Sequence, residues 1–140
     1  MIKFTKERSI SIDDVLHLYQ AVGWTNYTNQ PQMLEQALSH SLATYLARDG
    51  EEIVGLVRLV GDGFSSVFVQ DLIVLPSYQR QGIGSNLMKE ALADYKDAYQ
   101  IQLATEQTEK NLGFYRSLGF ETLSTYDCTG MIWLDRKKFK

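Results

Sequence analysis

Two glycines near the centre of the chain stand where a strand passes into a helix. Gln79, Gly82 and Gly84 form a Gln-x-x-Gly-x-Gly pattern after the apolar segment 72–75. Glycine lets the backbone approach a ligand closely, and the free N–H groups at a helix start attract phosphate. The next helix is amphipathic, with an apolar residue at every fourth position: Ile83, Leu87, Ala91 and Tyr95. The sequence therefore predicts a backbone cradle for a phosphate-bearing ligand.

Other phosphate-binding motifs use the same physics but need different residues. A P-loop needs Lys-Ser or Lys-Thr after its glycines, and neither follows Gly84. A dinucleotide fingerprint needs a small residue three places after its second glycine, where this chain has Leu87. An ordinary strand–turn–helix connection is the remaining alternative. The agreement of strand, turn and helix signals favours the ligand cradle over it.

The glycine pattern, with Val74 and Pro76 before it, resembles the acetyl-CoA-binding motif of the GNAT superfamily of N-acetyltransferases. A later segment, Phe114-Tyr115 with Gly119-Phe120, is similar to that family's Phe-Tyr-x-x-x-Gly-Phe signature. The resemblance implies that acetyl-CoA is the acyl-donor cosubstrate. It assigns cofactor contacts to Ile73, Val74, Gln79, Arg80, Gln81, Gly82, Ile83, Gly84, Ser85, Thr108, Asn111 and Phe114.

The same resemblance implies that different residues bind different parts of acetyl-CoA. The backbone around Ile73 and Val74 would pair with pantetheine like an added strand, and an N–H there would polarise the thioester carbonyl. N–H groups in 80–85 would hold the pyrophosphate, with charge added by Arg80. Many family members carry asparagine where this chain has Thr108, so Thr108 could instead cap its helix or bond to pantetheine, and Asn111 could take over the contact.

The family resemblance also makes Tyr115 the acid that protonates the leaving thiolate. A phenol of pKa about 10 can do so once the site is arranged for it. Simple packing of Tyr115 on its helix is the alternative. The acceptor amine must also lose a proton. Asp71 is the nearest carboxylate to the expected thioester and is a candidate catalytic base for this step. A structural carboxylate, bonded to a neighbouring strand or helix end, is the alternative for Asp71.

Residues 18–24 and 130–133 look like those of plant plastid serotonin-type members of the family. The loop between the first two helices commonly lines the acceptor pocket in this fold, and here it carries Trp24 and Tyr27. We expect these two aromatic residues to contact an aromatic or apolar amine. Core packing beside the first helix is the alternative for Trp24. A small-molecule amine and a protein amine both stay open as acceptors.

Composition indicates one ordinary globular domain over residues 1–140, with 44% hydrophobic and 22% charged residues. The net charge of −3 argues against nucleic-acid binding. No apolar run approaches a membrane span, and the first residues lack the core of a signal peptide. The single cysteine, Cys128, fits a reducing cytoplasm, and His17 and His40 lack metal-ligand spacing. We therefore expect a cytoplasmic protein with no nucleic-acid, membrane or metal partner.

Hydrophobic periodicity and turn residues predict the order β-α-α-β-β-β-α-β-α-β-β. Strands are predicted at 2–5, 43–48, 53–60, 66–75, 100–105, 120–123 and 129–134. Helices are predicted at 11–22, 31–40, from 83 to about 95, and at 109–118, with a loop at 24–29. This is an α/β (α+β) fold with a mixed, mostly antiparallel sheet and about four flanking helices, the order of the GNAT fold.

The sequence thus predicts an N-acetyltransferase that moves acetyl from acetyl-CoA directly to a primary amine in a ternary complex. A non-catalytic acyl-CoA-binding or regulatory domain that kept the cradle is the alternative. A nucleotide-binding domain is a third reading, which would show ATP or NAD affinity competing with CoA. A homodimer is left open.

Overall fold

The computed structural model describes residues 1–135. The strands are β1 (Ile2–Glu7), β2 (Ala43–Asp49), β3 (Glu52–Gly61), β4 (Ser66–Val74) and β5 (Gln100–Leu103). The helices are α1 (Ile12–Ala21), α2 (Thr25–Thr28), α3 (Pro31–Ser39), α4 (Ile83–Asp94) and α5 (Glu109–Ser117). Two 3-10 turns lie at Pro76–Tyr78 and Leu123–Tyr126. The chain divides into two compact units, Met1–Ala104 and Thr105–Lys140.

The first unit is built on a five-stranded sheet in the order β1-β2-β3-β4-β5. Neighbouring strands from β1 to β4 are antiparallel, and β5 is parallel to β4 after the crossover through α4. Leu56 of β3 packs in a core cluster with residues of α1, α2 and α3. Its neighbour Gly55 faces α4. Because successive strand residues point to opposite faces, helices cover both faces of the sheet.

Helix α4 approaches β3 closely at Gly55. A Cβ at this position would lie 3.2 Å from Ile83 Cγ2, 3.2 Å from Leu87 Cδ1 and 3.3 Å from the carbonyl oxygen of Ile73. Ile83 and Leu87 are both buried and belong to the first half of α4. The missing side chain at Gly55 therefore sets how near the start of α4 lies to the sheet.

Gly55→Ala is expected to destabilise the fold by about 1–3 kcal/mol, the usual cost of overpacking a core. The added methyl group would push Ile83 and Leu87 away from the sheet. Chemical denaturation of the two chains measures the difference. Gly130→Ala is a matched control, because its Cβ would make only an ordinary contact, 3.7 Å from Leu123 Cδ1. Equal stability of Gly55→Ala and the unaltered chain would contradict close packing at this point.

The strands predicted at 120–123 and 129–134 are wrong for the described residues. Leu123–Tyr126 forms a 3-10 turn, and residues 128–135 carry no regular secondary structure. Met131, Ile132 and Trp133 are exposed despite their apolar character. A strand needs a neighbour that takes its backbone hydrogen bonds, and the second unit has no other strand within residues 105–135.

The loop predicted at 24–29 contains the short helix α2. Trp24 precedes it, and Tyr27 within it is buried. The other predicted elements are present and differ from the prediction by no more than two residues at either end. Across residues 1–135, no helix has both the length and the apolar character that crossing a membrane requires.

Candidate functional site

Strand β4 continues beyond the point where its partner β5 ends. The parallel pairing runs from Ser66 with Gln100 to Val69 with Leu103. On that side, the described part of the chain offers no strand partner to residues 70–74. An open strand edge of this kind can take up an extended ligand through backbone hydrogen bonds.

The direction of each backbone group along this edge follows from the pairing with β3. The N–H of Leu75 donates to the carbonyl of Val54 at 2.9 Å. Since successive residues present their N–H and C=O groups to alternate sides, Ile73 pairs with β3 while Leu72 and Val74 face the open side. A hydrogen bond from the Gln79 side chain supports this assignment, because Gln79 Nε2 reaches the Val74 carbonyl from outside the β3–β4 pair and donates to it at 3.1 Å.

This alternation bears on two of the predicted cofactor contacts. Val74 presents its backbone to the open edge, as the family resemblance implies. Ile73 does not, because its backbone groups point the same way as those of Leu75, whose N–H donates to Val54 of β3. Leu72 takes its place, a residue that the sequence analysis did not name. The alternation along β4 tells which residues face the same side. Which of the two sides is the open one depends on the pairing with β3.

The loop after β4 carries the predicted cradle. Gln79 is extended, Arg80 has φ +66° and Gly82 has φ +79°. Helix α4 then begins after Gly82 without any side-chain cap from residues 1–135. Its first intrahelical bond runs from the N–H of Asn86 to the carbonyl of Gly82. The N–H groups of its first turn therefore stay unpaired, and unpaired N–H groups at a helix start favour an anion.

Two side chains hold this loop in place. Tyr78 Oη donates at 2.6 Å to Oδ2 of Asp49, the last residue of β2, and this bond raises the pKa of Tyr78 to about 12. Gln79 ties the other side of the loop to Val74. Arg80 and Gln81 are exposed, so the Arg80 guanidinium is free to approach a bound anion. The loop thus combines a backbone held by two side-chain hydrogen bonds with an exposed positive charge.

Asp71 is a buried carboxylate on β4, only 2% exposed. Arg58 lies directly opposite on β3 and donates from Nε to Oδ2 at 2.7 Å. Tyr19 Oη donates to the same oxygen at 2.9 Å, and Tyr27 Oη donates to Oδ1 at 2.8 Å. A catalytic base needs an oxygen that the amine or a water can reach. This geometry therefore favours the structural alternative for Asp71 over the predicted base.

The charges of this network compensate each other. Burial and the charge of Asp71 raise the pKa of Tyr19 and of Tyr27, so both phenols stay protonated as donors. Burial alone would lower the pKa of Arg58, but the charge and hydrogen bond of Asp71 together with Tyr19 and Tyr27 raise it overall. No buried side-chain nitrogen or oxygen in the described residues lacks a hydrogen-bond partner. A buried ion pair is tolerated only under such conditions.

Trp24 and Tyr27 pack on the same cluster. The Trp24 ring lies 6.1 Å from the Tyr19 ring and 6.3 Å from the Tyr27 ring, measured between centroids. Trp24 is half-buried against the core of the first unit, whereas Tyr27 is 8% exposed. The Tyr27 hydroxyl is committed to Asp71. Of the two predicted substrate residues, only Trp24 keeps a surface that an acceptor could touch.

The second unit carries the remaining predicted residues on α5. Thr108 Oγ1 accepts a hydrogen bond from the N–H of Asn111 at 3.1 Å, so Thr108 caps the helix, one of its two anticipated roles. The Tyr115 ring packs between Phe114 and Phe120, with centroids 5.0 and 6.0 Å away.

The Tyr115 hydroxyl is free to act as a donor. It makes no hydrogen bond in the described part of the chain. Burial raises the pKa of Tyr115, which keeps the proton on the phenol at neutral pH. A neutral phenol with an unused O–H group has what a proton donor needs.

The predicted residues thus fall into two groups. The first unit joins the open β4 edge, the loop after it and the start of α4 in one continuous segment. The second unit holds Thr108, Asn111, Phe114 and Tyr115. Within residues 1–135, no group of three or more histidine, cysteine or acidic side chains could hold a metal ion.

Comparison with known proteins adds independent findings. A family model described as an acetyltransferase (GNAT) domain matches residues 40–122. The solved structure of a GNAT-family acetyltransferase from Streptococcus pneumoniae TIGR4 is 74% identical, with a TM-score of 0.90. It covers 97% of this chain, and this chain covers 99% of it. Serotonin N-acetyltransferase 2, chloroplastic, of Oryza sativa subsp. japonica is 33% identical over 95 residues, 65% of this chain and 48% of that protein.

A more distant solved structure shows the shared fold. It is a GNAT-family acetyltransferase of Elizabethkingia anophelis with acetyl-CoA bound, 22% identical with a TM-score of 0.63 over 86% of this chain and 76% of that one. The chain spans about half the length of the rice protein. The family match runs from before β2 to beyond α5 and includes both the glycine loop and Tyr115. The predicted fold class and acyltransferase class are therefore confirmed, and the chain belongs to the GNAT family of acetyltransferases.

Proposed function

We propose that the protein transfers an acetyl group from acetyl-CoA directly to a primary amine. The observation that carries this proposal is the continuity of the open β4 edge at Leu72 and Val74 with the uncapped start of α4. CoA joins an extended arm with two amide groups to a pyrophosphate. The chain offers backbone hydrogen-bonding groups and then an anion cradle in the same order, so one ligand can use both.

Different backbone groups of the chain bind the thioester and the pyrophosphate. The open N–H of Val74 is placed to donate a hydrogen bond to the thioester carbonyl oxygen and to stabilise the oxyanion that develops there. The backbone N–H groups of 80–85 bind the pyrophosphate, and the Arg80 guanidinium adds charge. When bound, acetyl-CoA supplies the activated acetyl group. The side chain of Ile83 is buried, so this residue contributes through its backbone alone.

Two protons must move for the transfer to be complete. At pH 7, removing the proton from a lysine-like amine costs roughly 4–5 kcal/mol. Asp71 could accept it only by giving up its bonds to Arg58 and the two tyrosines. We therefore assign that proton to solvent at the site rather than to Asp71. As the bond from sulfur to the acetyl carbon breaks, Tyr115 donates its proton to the thiolate and regains one from water.

Turnover of acetyl-CoA across a panel of amines tests this proposal. The panel contains arylalkylamines, spermidine, free lysine and a lysine-bearing peptide, and release of the free thiol is measured. CoA binding without turnover on any amine would instead support the non-catalytic acyl-CoA-binding alternative. Competition of ATP or NAD with CoA would support a nucleotide-binding domain.

For the acceptor we propose an aromatic or apolar amine. Trp24 is only partly buried, and the rice relative is by its name a serotonin N-acetyltransferase. Arylalkylamines are then expected to be better substrates than spermidine or free lysine. Trp24→Ala should raise KM for such an amine roughly tenfold to a hundredfold, since a buried aromatic contact contributes about 1–3 kcal/mol.

The structure adds a second effect to this substitution. Trp24 packs against Tyr19 and Tyr27, so Trp24→Ala should also lower the melting temperature. Melting temperature and amine KM are therefore measured on the same variant, with Trp24→Phe as the control that keeps an aromatic ring. A large melting loss with unchanged KM would make Trp24 a core residue and would contradict its role at the acceptor.

A further inference from the structure

A β-bulge in β4 lies at the point where β4 and β5 part. The pairing of β4 with β3 shifts between the pair Arg58–Asp71 and the pair Leu59–Val69, which leaves Gln70 as the extra residue. Val69 is also the last residue of β4 that pairs with β5. A bulge bends its strand and increases the local twist. The open edge therefore begins directly after a bend.

The first residue beyond the bulge, Asp71, is bonded to three separate elements. Arg58 reaches it from β3, Tyr19 from α1 and Tyr27 from α2. The bulged residue is tied to the same cluster, because Gln70 Nε2 lies 3.5 Å from Tyr27 Oη. Arg58 Nη2 also donates to Tyr27 Oη, at 3.2 Å. Tyr27 thus contacts Asp71, Gln70 and Arg58 through one hydroxyl.

We propose that Asp71 and Tyr27 are positioning residues for the cofactor edge. Their network fixes the bend of β4 and so sets where the open backbone groups of Leu72 and Val74 point. A buried ion pair is a weak source of stability, since apolar residues of similar size are often as stable, but its directional bonds select one geometry. This inference rests on the proposed function, because it assigns the edge to the pantetheine arm of CoA.

The test compares two tyrosine substitutions and two ligands. Tyr27→Phe removes the hydroxyl from the network and keeps the ring. Tyr45→Phe is the matched control, since Tyr45 Oη donates to Asp94 Oδ2 of α4 at 2.6 Å on the other face of the sheet. The ligands are CoA and adenosine 3′-phosphate 5′-diphosphate, which retains the phosphates of CoA but lacks the pantetheine arm. Calorimetric titration gives the four dissociation constants.

Tyr27→Phe is expected to weaken CoA binding about three- to tenfold, the effect of one lost hydrogen bond, and to leave binding of the adenosine ligand unchanged. Tyr45→Phe should change neither dissociation constant. An equal loss for both ligands would show that the network acts on the fold as a whole, and no loss for either would show that the edge does not depend on it. Both results would overturn the inference.

Amide hydrogen exchange separates this inference from the proposed function. The Ile73 amide pairs with β3 beyond the bulge, so it should exchange faster in Tyr27→Phe than in Tyr45→Phe. Failure of the unaltered chain to bind CoA would contradict the proposed function, while the exchange of Ile73 would still report whether the network fixes the bend of β4. Equal exchange of Ile73 in both variants would contradict the positioning role, whatever the chain binds.

Discussion

A Gly82→Val chain is expected to fold and to lose measurable CoA binding. Gly82 has φ +79°, a conformation that costs a residue with a side chain about 1–2 kcal/mol, and more when it is β-branched. A Cβ at this position would meet no atom within 4 Å. The valine side chain would therefore stand in the space that the cradle offers to a pyrophosphate. The shift of melting temperature with CoA concentration measures the loss.

The control for backbone strain is Gly23→Val. Gly23 has φ +71° and also has open space around a Cβ, but it lies between α1 and α2 and not in the cradle. This variant should lose a similar amount of stability and keep its CoA-dependent melting shift. Gly84→Val in the first turn of α4 is a second blocking variant with helical backbone. Unchanged CoA affinity in a folded Gly82→Val chain would contradict the cradle assignment.

The cradle could be predicted because its signals are local. The apolar strand, the Gln79 to Gly84 pattern and the amphipathic helix follow each other within one stretch of chain, and each has its own sequence signature. Asp71 is the opposite case. Its partners Arg58, Tyr27 and Tyr19 lie 13, 44 and 52 residues away. No spacing rule connects such residues before the fold is known.

Three errors have the same origin. The alternation at 129–134 is a correct description of apolar spacing, but a strand depends on a neighbour that the sequence pattern does not provide. The helix α2 was missed because threonine and asparagine are weak helix formers. Its position follows from the burial of Tyr27 and from the Tyr27 bond to Asp71, which are tertiary contacts. Leu72 was missed because its direction depends on the register with β3.

Tyr115→Phe is expected to lower kcat by roughly 10²–10⁴ while CoA binding and stability persist. The substitution keeps the ring that packs against Phe114 and Phe120. It removes a hydroxyl that makes no hydrogen bond in residues 1–135, so no partner is left unsatisfied. Only the proton for the leaving thiolate is lost. Steady-state kinetics on the preferred amine, with CoA affinity from titration, measure both quantities.

The pH dependence gives a second check on this residue. Burial raises the pKa of Tyr115, so the acid form persists above the ordinary tyrosine pKa of about 10. Loss of the acid should therefore not lower kcat between about pH 7 and pH 9, where the rate should instead rise as the amine loses its proton. A fall of kcat across that range, present in the unaltered chain and absent in Tyr115→Phe, would contradict the raised pKa.

Tyr126→Phe serves as the control for removing a phenol from the same unit. Tyr126 is 68% exposed, and its substitution should leave kcat unchanged. The comparison is decisive only when chemistry limits the rate, because slow product release would conceal a loss in the proton-transfer step. A burst of product in the first turnover, with substrate in excess over enzyme, identifies that case. Near-normal turnover of Tyr115→Phe with chemistry rate-limiting would leave Tyr115 as a packing residue between two phenylalanines, and the thiolate would then take its proton from solvent.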